Sequence, residues 1–138
     1  MSDVFCKIIA GDIPSAKIYE DDEVLAILDI SQTTHGHALV MPKAHYGSML
    51  ECPEELLAKV MNVAKKLGNA AKKALGADGV NILANCGESA GQTVPHFHVH
   101  VIPRYEGKED GLVLEFKPQD TSAIDFKALA AKLAEGLD

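Results

Sequence analysis

Between Pro53 and Gly76 apolar residues return every three or four positions, at Leu56, Val60, Val63, Leu67, Ala71 and Ala74. That spacing lays them along one stripe of an α-helix. Pro53 suits a first turn, Glu54 and Glu55 stand where the helix dipole favours acids, and Gly76 with Asp78-Gly79 stops the run. Lys59, Lys65, Lys66, Lys72 and Lys73 fill the rest of the surface and read as a solvated outer face. The other segments are shorter. Asp3 to Ala10 reads as a helix capped by Ser2 or Asp3 and stopped by Gly11, with Ile13-Pro14 beyond it. Lys17 to Glu20 and Val24 to Leu28 flank the acidic turn Asp21-Asp22 and predict a hairpin. Gly36 to Met41 is a third strand ended by Pro42, and Val80 to Ala84 a fourth. Tyr105 to Gly111 is polar and glycine-rich, a loop. Ser122 caps a final amphipathic helix with Phe126, Leu129, Ala130 and Leu133 on one side. One long helix between the third and fourth strands, with no repeating βαβ unit, predicts an α+β domain with an antiparallel sheet.

The fifth strand carries the chemistry. His96-Phe97-His98-Val99-His100 alternates imidazole with apolar side chain and runs on into Val101 and Ile102. Successive strand residues point to opposite faces, so three imidazoles share one face while Phe97, Val99 and Val101 take the other. Three of the chain's six histidines thus fall within five residues, a concentration of acid, base and nucleophile chemistry near neutral pH.

The rest of the composition narrows the classes. At 138 residues the chain holds one domain with a real core, and 47% hydrophobic with 24% charged residues is ordinary for a globular protein. A formal charge of −7 argues against a nucleic-acid surface, yet leaves room for one small anion held by local amides and imidazoles. Cys6, Cys52 and Cys86 are an odd number without paired spacing, which predicts no disulfide framework and a reducing, cytoplasmic setting. The N-terminus carries Asp3 and no apolar run of a secretory signal, and no stretch has the length of a membrane span.

The loop ahead of the histidines reads Asn85-Cys86-Gly87-Glu88-Ser89-Ala90-Gly91-Gln92-Thr93-Val94. Alone it describes a surface turn. Leading into three imidazoles, it resembles the donor half of a phosphoryl-transfer site beside a nucleophile. Three readings follow. In the first, a neutral His98 attacks phosphorus and forms a phospho-imidazole that water cleaves, with His96 and His100 flanking it as donors to phosphate oxygens and His37, on another strand, as proton-relay partner. In the second the histidines bind a metal, although alternate strand residues stand roughly 7 Å apart per step, too far for three to close on one ion. In the third the domain holds a nucleotide without turning it over.

These residues resemble the signature of the histidine triad (HIT) family of nucleotidyl hydrolases and transferases, His-φ-His-φ-His-φ-φ with φ apolar, matched at every position by His96 to Ile102. The resemblance covers residues 4–105 through further blocks: Phe5-Cys6-Lys7-Ile8-Ile9, Gly11-Asp12-Ile13-Pro14, Tyr19-Glu20-Asp21, Leu28-Asp29-Ile30-Ser31, Gly36 to His45, and Gly91-Gln92-Thr93-Val94. It implies a five-stranded antiparallel sheet, a homodimer, and cleavage of purine nucleotides at the α-phosphate through a covalent nucleotidyl-histidine. By position, His98 is similar to the nucleophile, His96 and His100 to its triad partners and His37 to the fourth histidine. Asp29 would hold the ribose hydroxyls, Ile30, Phe5 and Ile8 the base, and Asn85, Gly91, Gln92 and Thr93 the ribose or phosphate. A core role is the rival reading for Phe5, Ile8 and Ile30, and a turn cap for Asp29. The N-terminal blocks are most similar to small bacterial members near the phosphoramidase branch, with dinucleoside polyphosphate hydrolysis as the alternative.

Some relatives bind structural zinc with a Cys-x-x-Cys pair and two histidines. Here the first cysteine is replaced, giving Asp3-Val4-Phe5-Cys6. That leaves Cys6, His45 and His96 as the candidates, an incomplete closed site, so no metal and no required cofactor are expected. Residues 106–138 match no pattern of the family; their helix would cover the core or extend a dimer interface.

Overall fold

The computed structural model describes residues 3–137. Five strands form one antiparallel sheet in the order β1-β2-β3-β5-β4: β1 (Lys17–Glu20), β2 (Val24–Leu28), β3 (Ala38–Pro42), β4 (Gly79–Leu83) and β5 (Val99–Arg104). The helices are α1 (Val4–Ala10), α2 (Glu54–Leu75) and α3 (Phe126–Glu135). This is the expected α+β class, and no disulfide joins the three cysteines among the described residues.

The β1–β2 turn is closed by Asp21, whose Oδ1 accepts the main-chain N–H of Glu23 and of Val24, both at 2.8 Å, as a short acceptor side chain does in such turns. Strands β2 and β3 are apolar at nearly every position because both their faces are covered. On one face Val24, Ala26, Val40, Val99 and Val101 pack with Phe97 against Val60, Val63 and Ala64 of α2. On the other, Leu25, Ile27, Leu39 and Met41 pack against Phe5 and Ile8 of α1. Helix α1 covers only part of that second face. The ungirded remainder is a cleft.

Several boundaries move. The third strand starts two residues later than its periodicity suggests and ends one later, at Pro42, because Gly36 (φ +93°) still belongs to the turn, where a Cβ would lie 2.6 Å from Leu75 Cδ1. Pro53 caps α2 from outside rather than opening its first turn. The fourth strand begins at Gly79 and ends at Leu83. Asp125, not Ser122, caps α3, its carboxylate accepting from Ala128 N at 3.0 Å. Of the two caps expected for α1, Asp3 fills the role and Ser2 lies outside the described residues. Finally, α3 covers no core. Phe126, Leu129 and Leu133 are exposed, as are Val113 and Phe116 in the arm before it.

The largest change is in the histidine segment. β5 starts at Val99, so His96 and His98 precede the ladder. Around Pro95 the chain turns tightly, with His96 N donating to Val94 O at 2.8 Å, and Phe97 N pairs with Tyr46 O at 2.7 Å in the loop after β3. Strict strand alternation therefore holds only from His98 to Ile102.

Candidate active site

Register builds the site. Leu39 of β3 faces His100 of β5, so His37, two residues before Leu39, falls on the same face at the strand's edge. There His37 Nε2 lies 2.9 Å from His100 Nδ1. His37 Nδ1 accepts from Thr33 N at 3.3 Å, which puts the His37 proton on Nε2 and makes it the donor to His100. His100 then carries its own proton on Nε2. His98 is held differently: its Nδ1–H donates to the main-chain carbonyl of His96 at 2.7 Å, leaving Nε2 as the unprotonated nitrogen. The His98 and His100 rings stand edge to face at 5.1 Å, and Phe5 meets His98 the same way at 4.9 Å. One imidazole thus presents a bare lone pair and its neighbour an N–H donor.

Both remain neutral in the physiological range. Burial pushes the His98 pKa down. Burial lowers His100 to about 4, and the neighbouring His98 and His37 push in the same direction.

His98 and His100 line a cleft of about 400 Å³, whose other walls are Phe5 and Ile8 of α1, Ile27, Leu39, Ile13, and the edge residues Asp29, Ile30 and Thr93. That volume and apolar lining suit a small heterocyclic ligand. Phe5 and Ile8 serve at once as core and as wall, being 7% and 9% exposed. Ile30 is 98% exposed at the rim, which removes the core reading for it. Asp29 Oδ1 accepts from Ser31 N at 2.8 Å, so the turn-capping role is real. Its Oδ2 lies 3.6 Å from His37 Nε2.

Three expected site residues are placed elsewhere. Gln92 is spent within the fold: Oε1 accepts from Gly87 N at 2.9 Å, and Nε2 donates to Gly47 O at 2.6 Å and Val94 O at 3.0 Å. Asn85 Nδ2 turns back to Gly91 O at 3.3 Å. Gly91 (φ +99°) closes the loop's 3₁₀ turn over Glu88–Ala90 and leaves room for Asn85. These side chains shape the loop, with Thr93 alone of the four lining the cleft. Ser15 was not foreseen; it lines the cleft, and its buried Oγ has no hydrogen-bond partner. A serine after Ile13-Pro14 carries no signal in sequence.

His96 is the main correction. It is fully buried and offers nothing to a phosphate. Its Nε2–H donates to Pro42 O at 3.0 Å, and Nδ1 turns into a second cluster with His45 Nδ1 (3.3 Å), Cys6 Sγ (3.6 Å) and Asp3 Oδ2 (3.3 Å). The donor set expected to stop at three therefore has a fourth member, Asp3, and the residues fit a four-coordinate divalent ion. Aspartate at this position gave no metal signal because the familiar spacing calls for a thiol.

An α+β domain in which a central strand delivers alternate imidazoles to an apolar cleft is the architecture of a HIT domain, and the HIT domain model matches residues 10–107. The chain belongs to that family. It is similar to the crystal structure of a HIT-family member from Bacillus subtilis, with TM-score 0.91 and 45% identity, covering 98% of this chain and 96% of that one. It is 40% identical over 134 residues to adenosine 5′-monophosphoramidase hnt1 of Schizosaccharomyces pombe, covering 97% of each. A zinc-bound histidine triad family protein from Mycobacterium smegmatis is 42% identical, with TM-score 0.76, covering 98% of this chain and 97% of that one. No helix among the described residues is long and apolar enough to cross a membrane.

Proposed function

We propose that this chain is a nucleotide hydrolase that cleaves purine nucleoside 5′-phosphoramidates at the α-phosphate through a nucleotidyl-His98 intermediate. The observation that carries the reading is the tautomer of His98: with Nδ1–H given to the His96 carbonyl, Nε2 is an unprotonated nucleophile in a ligand-sized cleft. In the first step the Nε2 lone pair attacks the α-phosphorus and the P–N bond to the amine breaks. The departing amine takes its proton from solvent at the cleft mouth, while neutral His100 keeps its Nε2–H and donates it as a hydrogen bond to a phosphoryl oxygen. The phosphorylated ring is cationic, and the His96 carbonyl on Nδ1–H stabilises it. In the second step water attacks phosphorus, its proton passes to solvent, and His98 leaves as neutral imidazole with nucleoside monophosphate. The phosphoramidase name of the Schizosaccharomyces pombe relative supports this substrate class. A cation, if bound, would be held by Asp3, Cys6, His45 and His96 away from the cleft and would supply a cross-link there.

Initial rates on an adenosine 5′-phosphoramidate and on diadenosine polyphosphates, with one purified sample, test the substrate. The reading expects the larger kcat/KM for the phosphoramidate. The reverse order would make the chain a dinucleoside polyphosphate hydrolase, and turnover of neither would leave a nucleotide-binding module.

The functional unit in this reading is a cytoplasmic homodimer. β4 is one of the two outer strands of the sheet, Ile82 on it is 45% exposed, and such an edge offers unpaired main-chain groups to a strand of a second copy. Sedimentation is expected to give twice the chain mass, and Ile82→Lys to shift the protein to monomer. A wild-type monomer at micromolar concentration would remove the dimer from the proposal.

A further inference from the structure

The loop that carries His37 is gripped from outside by the chain that follows β5. Part of the loop ties itself together: Gln32 Nε2 donates to His37 O at 2.8 Å, and Gln32 Oε1 accepts Gly36 N at 2.8 Å. Two of its carbonyls accept from beyond the sheet's last strand. Tyr105 Oη–H donates to His35 O at 2.7 Å, and Gly111 N–H to Thr33 O at 2.7 Å. The residue at 111 has to be small, since a Cβ there would lie 3.0 Å from Thr33 O and 3.5 Å from Thr33 Cα. Arg104, the last residue of β5, fastens this second grip to the sheet. Its guanidinium donates to Asn81 Oδ1 of β4 at 2.8 Å and to Leu112 O at 2.9 Å, and its Nε lies 3.6 Å from Asp110 Oδ2.

The grip ends on a histidine. Thr33, held through its carbonyl by Gly111, gives its own N–H to His37 Nδ1 at 3.3 Å. That contact keeps Nδ1 bare and the proton on Nε2, which His37 donates to His100 Nδ1 at 2.9 Å. His100, with Nδ1 filled, carries its proton on Nε2 in the cleft wall. Without the Thr33 N–H the pair can run the other way. His37 then takes its proton on Nδ1, His100 donates Nδ1–H to His37 Nε2, and His100 Nε2 becomes a second bare lone pair. At 3.3 Å the Thr33 bond stands at the long end of its kind, so a small displacement of Thr33 releases it. We propose that residues 105–112 act as a clasp on the His37 loop, with Arg104, Tyr105 and Gly111 as positioning residues. Their grip on Thr33 and His35 sets the His37–His100 tautomer, and with it the N–H that His100 offers a phosphoryl oxygen. The clasp and the tautomer stand without any assumption about the reaction. The kinetic consequence rests on the phosphoramidate reading above.

The test uses the full chain labelled with ¹⁵N at histidine, because protonated and bare ring nitrogens resonate far apart. In the wild type at neutral pH, His37 and His100 are expected as Nε2–H and His98 as Nδ1–H. Tyr105→Phe removes one oxygen from the clasp, and Gly111→Val wedges a side chain against Thr33 O. Each should move part of the His37 and His100 signals to the Nδ1–H form, Gly111→Val the more, while His98 keeps its own. On an adenosine 5′-phosphoramidate, kcat should fall about tenfold in Gly111→Val with KM within about twofold, since a donor to the phosphoryl group is lost while the cleft walls stay. Smaller losses are expected in Tyr105→Phe and Gly111→Ala. If Gly111→Val does not fold, those two milder variants carry the test. A wild-type His37 protonated on Nδ1, or unchanged tautomers in the folded variants, would overturn the proposal, and a kcat loss without a tautomer change would leave the segment a merely structural element. A tautomer change at constant kcat overturns the kinetic half alone. If the wild type turns over no phosphoramidate, that reading fails instead, and the spectra still decide the clasp.

Discussion

His98 owes its role to one main-chain contact. The His96 carbonyl fixes which nitrogen carries the proton, and burial keeps the ring neutral, so the fold itself sets the bare Nε2 on which the proposed nucleophilic role depends. His98→Ala is expected to lower kcat by about 10²–10⁴-fold or more while AMP affinity changes little, because binding is spread over α1, the strand ends and the loop. A folded variant that keeps more than about a tenth of the wild-type kcat would remove the covalent role. Asp29 is divided. Oδ1 caps its own turn, and Oδ2 at the cleft rim is the atom that the ribose hydroxyls of the proposed nucleotide would reach. A lost hydrogen bond to a charged group is worth roughly 1.5–3 kcal/mol. AMP should therefore bind at least about tenfold more tightly than 2′-deoxy-AMP, and Asp29→Ala should erase most of that difference in calorimetric titrations. Equal affinities in the wild type would confine Asp29 to its turn.

At the scale of elements, the loop from Asn85 to Val94 works as a frame. Gln92 ties Gly87, Gly47 and Val94 together, joining the loop to the segment after β3. Gln92→Ala leaves two partly buried carbonyls and the exposed Gly87 N–H without it, so a stability loss of about 1–3 kcal/mol is expected in urea unfolding. Activity should fall through KM rather than kcat, because the loop edge carries Thr93 and no attacking group. An unchanged midpoint with a raised KM would instead mark Gln92 as a direct ligand. The turn at Pro95 is the other decisive element. By delaying β5 to Val99 it swings His96 out of the triad face and behind α1, dividing one histidine motif between two sites.

For the whole molecule the buried histidines set a pH dependence. His100 titrates at about 4 in the folded chain against 6.5 for an ordinary imidazole. Above 6.5 the folded and unfolded chains are both neutral at this group. As pH falls from 6.5 towards 4, the unfolded chain takes a proton that the native chain refuses, so stability falls. Thermal melts are expected to show Tm declining through that window, with a smaller decline in His100→Gln. The same depressed value predicts an acid limb of kcat/KM below the usual imidazole range. A limb centred at 6.5 or above would contradict the environment described for the cleft.

The local patterns that sequence encodes directly were all legible: the α2 stripe, the hairpin around Asp21-Asp22, and the alternation of β5 all depend on neighbours a few residues apart. The family and its fold class were likewise readable from the histidine motif and the blocks around it. What tertiary structure decided was direction. No local rule says that Pro95 and a bond to Tyr46 turn His96 away from His98, that Gln92 spends its amide on the frame, or that α3 stands clear of the core. Nor does spacing reveal that Asp3 meets His45 and His96, since the helix cap and those histidines are brought together only when α1 packs on the sheet. A residue's type sets the chemistry available to it. Which atoms it faces depends on contacts far apart in the chain, and those exist only once the sheet has closed.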